Sequence, residues 1–459
     1  MTEVADNITL SLKSGPMSAA ELARGLRVDA TTVTRRLNRL GSQVVIKAGE
    51  GRATRWLLRR TLPMLPEQSV LPIYRVNDNG KAEKIALLHI VYPDDSYLVE
   101  YFRSDNDNSK VMSEWKFYES LPWWLSDMRP QGFLGRSFAK QLREQGERLD
   151  PDPNKWSEDT VLAVLAKFPQ DHVGNLLLGD EAYSRWLERP QDTVISHEQA
   201  GIKADAIARG EHFDSSAKGE QPKFIANLDE GECIVKFSGR VMQTEVDSVA
   251  NRWADLLNSE ALAAAALNAM ISDVAAYNRA FNIDERTLLA SRRFDRTSKG
   301  GRVGVVSFAS LDLEFVGQAN GHWPDIADAL NQQGVITEEA VTRCKVAWAF
   351  GQLIANSDMH LGNVSALNFD GRPYELAPVY DMLPMHYSPT SAGDLPSEPF
   401  NIRFHPNVPR ICWETAYAAA HDFWSRVMES SVISRHFKSL AEQQLKVVED
   451  YAVTIERMA

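Results

Sequence analysis

Apolar side chains punctuate the first forty residues at the spacing of two short helices. Ser18-Ala-Ala-Glu21 has the form of a capping box, in which the Ser hydroxyl and the Glu carboxylate each accept a backbone N–H that the first helical turn leaves free. Leu22, Ala23 and Leu26 follow on one face. Asp29 is expected to cap a second helix over Ala30–Leu40, where Val33, Leu37 and Leu40 recur at i, i+4 and i+7 and should face a core. Thr31, Thr32, Thr34, Arg35, Arg36 and Asn38 remain for the solvent side. Two β-type runs, Val44–Lys47 and Thr54–Leu58, flank Ala48-Gly-Glu-Gly-Arg52, so a hairpin with Arg52 at its tip is expected.

Further along, Thr61–Leu71 has two prolines and little periodicity and reads as a linker. Ile73–Val76, Ile85–Val91 and Ser96–Phe102 read as strands, separated by the turn signals Asp78-Asn-Gly80 and Pro93-Asp-Asp95. Trp115, Phe117, Tyr118, Pro122, Trp123 and Trp124 cluster in a way that favours core packing over a stacking platform. Cys233–Phe237 is a short β-type run, and Glu260–Leu267 is alanine-rich and helix-forming. Glu339–Ala355 is apolar enough for a buried helix, and helical spacing returns over Thr415–Met458.

Charge separates the first sixty residues from the rest. The chain of 459 residues carries a net charge of −12, yet residues 1–60 hold eleven Lys/Arg and five Asp/Glu, or +6, which leaves −18 for the remainder. Only that first piece is suited to a polyanion. Its two helices, turn and basic-tipped hairpin resemble a winged helix-turn-helix, whose second helix reads base edges and phosphates in a DNA major groove. Thr31, Thr32, Thr34, Arg35, Arg36, Asn38 and Arg52 are the candidate contacts, and a homodimer on a two-fold site is the companion expectation. No apolar run approaches the length of a membrane span, and the N-terminus lacks the pattern of a secretory signal. Cys233, Cys344 and Cys412 form no C-x-x-C pair and are expected as core thiols in a reducing cytoplasm.

The chemistry concentrates in Asn356-Ser-Asp358-Met-His360-Leu-Gly-Asn363, followed eighteen residues later by Asp381 in Val379-Tyr-Asp-Met382. Phosphoryl transfer from ATP needs a carboxylate that takes the proton of the attacking hydroxyl and oxygen ligands that hold Mg²⁺ on the phosphates. Asp358 and Asn363 are five apart, the spacing of base and metal ligand in a kinase catalytic loop. His360 is a candidate catalytic residue, with packing under the loop as the alternative. Lys236, a charge inside an apolar strand, calls for a partner and suits the α/β-phosphates. Glu260 is the chosen partner and Glu245 its competitor. Upstream, Asp214–Lys223 offers small residues and a glycine whose N–H groups could approach phosphates: Ser216, Ala217, Lys218 and Gly219. A hinge for adenine is expected near Val306–Ala309, after a strand Val303–Phe308, with Val306 and Phe308 as contacts.

Ser216-Ala-Lys-Gly-Glu-Gln-Pro-Lys223, Arg293-Phe-Asp-Arg296, Asp358-x-His-x-x-Asn363 and Tyr380-Asp381 fall in the order of the HipA family of serine/threonine kinases. Arg292 stands where that family has Glu in its E-R-F-D-R segment. Leu121-Pro-Trp-Trp and the Arg-Pro-Gln-Gly-Phe-Leu-Gly135 stretch are similar to the family's N-terminal subdomain. The fused winged helix resembles the YjjJ-type branch. The resemblance implies an α+β, bilobal protein-kinase-like fold with an all-helical C-lobe. The domains would be a winged helix over 1–62, a linker over 63–71, an N-terminal subdomain and N-lobe over 72–310, and a C-lobe over 311–459. It also implies ATP and Mg²⁺, with Asp358 as base, Asn363 and Asp381 on the metal, Lys236 on ATP, and Ser216 or its neighbour Ser215 as an autophosphorylation site that silences the enzyme. A growth-inhibiting toxin is implied, acting on a translation factor such as an aminoacyl-tRNA synthetase. The competing reading is a DNA-bound regulator that uses a catalytically dead kinase fold as a nucleotide sensor. Retention of Lys236, Asp358, Asn363 and Asp381 favours the enzyme. A sugar-kinase-type repressor would carry glycine-rich phosphate motifs that are not found here.

Overall fold

The computed structural model describes residues 2–104, 111–189, 193–210, 221–241, 248–319, 321–368 and 371–458. The chain divides into two compact units, Met1–Gln131 with Gly135–Pro190, and Gly132–Leu134 with Gln191–Ala459.

The first unit begins with helices α1 (Thr2–Leu12), α2 (Ala19–Leu26) and α3 (Ala30–Leu40), followed by the antiparallel hairpin β1 (Val45–Ala48) and β2 (Arg55–Leu58). The Ser18–Glu21 capping box forms as expected, and the Asp29 side chain caps α3 through the Thr32 N–H. α1 was not anticipated; Ile8 and Leu12, one turn apart, bury it against Leu22, Val33, Leu37 and Trp56. Strands β3 (Val70–Val76), β4 (Ala82–Val91), β5 (Ser96–Ser104), β6 (Val111–Tyr118) and β7 (Leu176–Leu178) form one antiparallel sheet in the order β6-β5-β4-β3-β7. Helices α4 (Gly132–Glu144), α5 (Glu158–Lys167) and α6 (Gly179–Glu188) complete the unit. α5 is apolar on all sides from Val161 to Ala166 and is buried accordingly.

The expected linker 63–71 is not a free tether. Leu65 and Leu71 are buried in the same core as Ile73, Leu88 and Leu162, and β3 starts at Val70. The aromatic cluster packs as expected: Trp115 and Phe117 lie against Ile46 and Leu57 of the hairpin, and Trp123 and Trp124 lie against the sheet core. Arg60 is pulled inward, with its guanidinium forked onto Asp159 at 2.6 and 2.7 Å.

The second unit opens with α7 (His197–Gly210), then β8 (Lys223–Leu228), β9 (Gly231–Phe237), α8 (Val249–Met270), β10 (Asn278–Ile283) and β11 (Arg286–Arg292). The four strands form an antiparallel sheet in the order β10-β11-β9-β8. Then come β12 (Gly304–Ser307), α9 (Phe308–Phe315), α10 (Trp323–Gln332), α11 (Glu338–Leu353), β13 (Ser365–Asn368), β14 (Glu375–Leu376), α12 (Arg410–Glu429), α13 (Arg435–Asp450) and α14 (Ala452–Glu456). Two expectations need correcting. The span 72–310 is split between the two units, which part near Pro190. The C-terminal part is not all-helical: β12, β13 and β14 form a three-stranded sheet that crosses the expected boundary at 310. Among the described residues, no helix is long and apolar enough to cross a membrane. Cys233, Cys344 and Cys412 are buried free thiols, and burial pushes the Cys233 thiol up to about 12.

Candidate functional site

Strand alternation sets Lys236. Cys233, Val235 and Phe237 point into the core that α7 covers, so Ile234 and Lys236 take the opposite face. There the Lys236 ammonium meets both Glu260 oxygens at 2.7 and 2.8 Å and Asp381 Oδ1 at 2.6 Å. Glu260 lies mid-way along α8 and is 1% exposed. Burial alone would lower the Lys236 pKa, but the Asp381 and Glu260 carboxylates outweigh it and hold the ammonium above the usual lysine range. Burial raises Glu260 against the pull of Lys236. Asp381 ends below the ordinary aspartate value, because Lys236 overcomes its burial penalty. The Asp381 backbone is left-handed at φ 54°, a region that Asp tolerates better than most side chains.

The loop after α11 is built around Asn356, which is 2% exposed. Its Oδ1 accepts the Asp358 N–H at 3.0 Å and its Nδ2 donates to the Asp381 carbonyl at 3.3 Å, tying the two acidic positions together. Asn363 Nδ2 donates to the Asp358 carbonyl at 2.8 Å, which leaves its Oδ1 as a hard oxygen donor. Tyr380 closes the arrangement: its hydroxyl donates to the Gly362 carbonyl at 2.9 Å and lies 2.8 Å from Ser365 Oγ. The Asp358 side chain is about half exposed, with His360 Nε2 3.8 Å from its Oδ1. His360 is not packed under the loop. Its ring is exposed, and its Nδ1 accepts the Gly362 N–H at 3.0 Å. An accessible carboxylate therefore stands beside a carboxylate and an amide oxygen, the donor types that suit Mg²⁺.

Residues 215–452, more than half of the 459, match the HipA-like C-terminal domain. Over 466 aligned residues the chain is 36% identical to "Toxin YjjJ" of Escherichia coli (strain K12), with 98% of this chain and 99% of that one covered. The chain belongs to the HipA family, in its YjjJ-like branch. Residues 67–187 match the middle domain of YjjJ-like toxins. Among solved structures, HipA of Shewanella oneidensis MR-1, crystallised with HipB and operator DNA, is 13% identical at a TM-score of 0.47, covering 83% of this chain and 98% of that one. The Helicobacter pylori proinflammatory kinase CtkA is 13% identical at a TM-score of 0.36, over 52% of this chain and 93% of its own.

Lys236, Glu260 and Asp381 come together at one point of this HipA-family chain; Asn356 links the Asp358 loop to the Asp381 backbone, and Asn363 braces that loop from within. Ser215, Ser216, Ala217, Lys218, Gly219 and Glu245 lie outside the described residues. The described end of that loop is anchored: Gln221 Nε2 donates to the Phe237 carbonyl. The hinge expectation changes. The strand ends at Ser307, and Phe308 opens α9, fully buried, with its N–H given to the Val364 carbonyl at 2.9 Å. Val306 pairs with Ala366 of β13 two positions earlier, so by antiparallel alternation its backbone groups also face β13 rather than a ligand. Sequence reasoning gave no role to Asn356 or Tyr380, though both stand inside the motifs it quoted. Arg293 and Arg296 form a buried ion cluster with Asp295, which explains that segment structurally.

On α3, Thr31, Arg35 and Asn38 are exposed. Thr32 and Thr34 are less available than expected, because their hydroxyls donate to Asp29 and to the Ala30 carbonyl. Arg36 is half-buried, while Arg39, not anticipated, is exposed. Arg52 is exposed in the short helical turn between β1 and β2.

Proposed function

We propose that the chain is an ATP-dependent serine/threonine protein kinase of the growth-inhibiting toxin type that carries its own DNA-binding module. The observation that carries this reading is the buried Lys236–Glu260 pair joined to the part-exposed Asp381, with Asn356 tying Asp381 to the loop of the exposed Asp358. Asp358 takes the proton of the attacking hydroxyl, with His360 beside it. Asn363 and Asp381 hold Mg²⁺, which supplies charge neutralisation on the phosphates. An ammonium has three donors, and here two meet Glu260 and one meets Asp381. Lys236 is thus positioned to move one donor from Asp381 to the nucleotide, which frees that carboxylate for the metal. Ser216 or Ser215 is the autophosphorylation site. The substrate is a translation factor, with aminoacyl-tRNA synthetases the first class to try. Residues 1–62 form a winged helix-turn-helix that binds double-stranded DNA through Thr31, Arg35, Asn38 and Arg52, as a homodimer, in the cytoplasm.

The test is incubation of the pure protein with ATP and Mg²⁺, followed by intact mass and phosphosite mapping, with Asp381→Ala as control. One added phosphate on Ser215 or Ser216, absent from the control, is the expected result. No phosphate and no ATP binding would sink the kinase reading and favour a regulator built on an inactive fold.

A further inference from the structure

Residues 382–409 join Asp381 to α12 with one short 3₁₀ turn, Met385–Tyr387, and no strand. Such a stretch has many backbone groups that need partners. Side chains from four helices hold the stretch, those of three helices at its backbone groups and that of the other at its side chains. Gln444 of α13, fully buried, accepts the Phe400 N–H at 2.8 Å and the Tyr387 hydroxyl at 3.0 Å. Gln352 of α11 accepts the Arg403 N–H at 3.3 Å. Asp325 of α10 meets His405 Nε2 at 3.1 Å and Asn407 Nδ2 at 2.7 Å.

The fourth helix is α8. Arg252 is 2% exposed and donates from one terminal nitrogen, Nη1, to the Tyr387 carbonyl at 2.7 Å and the Pro396 carbonyl at 2.9 Å. That nitrogen carries two protons, so one group pins both ends of the loop 388–395. Its guanidinium lies 5.7 Å from the centre of the Phe437 ring. One turn further on, Asp255 accepts the Ser434 N–H at 2.8 Å and hydroxyl at 2.6 Å, which fixes α8 to the start of α13. Glu260 follows Arg252 by eight residues, about 12 Å along the helix axis. Thr390 and Ser391 of the pinned loop and Ser397 just after it are exposed.

We propose that Arg252 is a positioning residue for phosphoryl transfer: one rigid helix holds Lys236 through Glu260 and the segment after Asp381 through Arg252, so that this segment is set without being phosphorylated. The inference rests on the kinase reading above. Arg252 acts through the chain on the far side of Asp381.

The test uses the full chain as wild type, Arg252→Gln, Arg252→Lys and the triple variant Thr390→Ala/Ser391→Ala/Ser397→Ala. Thermal melting, Mg-ATP affinity, phosphoryl transfer and backbone hydrogen exchange over 382–400 are measured. Arg252→Gln should lower kcat by about 10- to 100-fold, as small misplacements of reacting groups do, with Mg-ATP affinity within about threefold of wild type. Exchange should quicken over 382–400, Arg252→Lys should recover part of kcat, and the triple variant should match wild type. An Arg252→Gln variant that melts earlier but keeps kcat and exchange would overturn the proposal, as would loss of transfer in the triple variant. If wild type transfers no phosphate, the kinase reading fails, and the exchange data alone still decide whether Arg252 holds the segment.

Discussion

Lys236 is the residue on which the charge balance of the site turns. Its side chain is 8% exposed and faces two carboxylates, one of them almost wholly buried. Replacing it with Met leaves Glu260 and Asp381 without the cation they both hydrogen-bond, and removing one partner of a buried pair costs about 3–5 kcal/mol. The sign of the pH dependence follows. Burial already raises Glu260, and without Lys236 only the weaker pull of the Lys223 charge opposes that shift. A carboxyl whose folded pKa lies above its unfolded value favours the fold while protonated and loses that contribution as pH rises through the folded pKa. Lys236→Met should therefore be less destabilised, relative to wild type, at pH 5 than at pH 8, and Lys236→Met/Glu260→Gln should recover stability at pH 8. Urea melts at the two pH values check this; a loss independent of pH would mean that packing, not charge, is what Lys236 provides. Lys236 was legible in the sequence because a charge inside a β-type run demands a partner. Arg252 was not, because an arginine within a long helix reads as a solvent-facing residue until the tertiary structure folds over it.

At the level of elements, local signals transferred well and long-range ones poorly. The caps at Ser18 and Asp29, the hairpin and the strand runs depend on neighbours in sequence, and the structure has them close to where the pattern put them. α1 and the β12–β13–β14 sheet were missed: Val4, Ile8 and Leu12 recur at helical spacing and could have marked α1, whereas the sheet pairs residues some sixty positions apart. The phosphate loop could be read only as a motif. Gly135 shows how a motif residue gains a physical reason. A Cβ added there would lie 2.5 Å from the Pro130 carbonyl carbon, so the start of α4 can approach that backbone only without a side chain. Gly135→Ala should cost about 1–3 kcal/mol, as overpacking does. Gly25, within α2, has open space around the same position, and Gly25→Ala should stabilise by about 0.5–1 kcal/mol. Thermal melts of the two variants should shift in opposite directions. A harmless Gly135→Ala would show that α4 has freedom to move.

At the scale of the whole molecule, charge divides along the chain. The first sixty residues carry +6 and the remainder −18, but not all of that basic charge faces outward. Arg60 is forked onto Asp159, and Arg59 donates to the Ser42 carbonyl at 2.8 Å and lies 3.1 Å from His89. Burial and the Arg59 charge push His89 down to about 4, so its ring is neutral at pH 7 and accepts from that guanidinium. Exposed arginines remain on the open face of α3 and at the hairpin tip, with Arg24, Arg27 and Arg55 exposed nearby in sequence. Each phosphate contact releases counterions, so removing one weakens binding on all sequences and makes the salt slope shallower by about 1. Arg35→Ala/Arg52→Ala should thus lower duplex affinity and flatten the slope by about 2, whereas Arg60→Ala should lower the melting temperature. Titrations at several salt concentrations separate the two effects, because a folding defect reduces the binding-competent fraction at every salt concentration and leaves the slope alone. Arg35→Ala/Arg52→Ala should leave transfer of phosphate to Ser215 or Ser216 unchanged, and Asp381→Ala should bind duplex as wild type does. An unchanged slope in Arg35→Ala/Arg52→Ala would place DNA on another surface and remove the winged-helix reading.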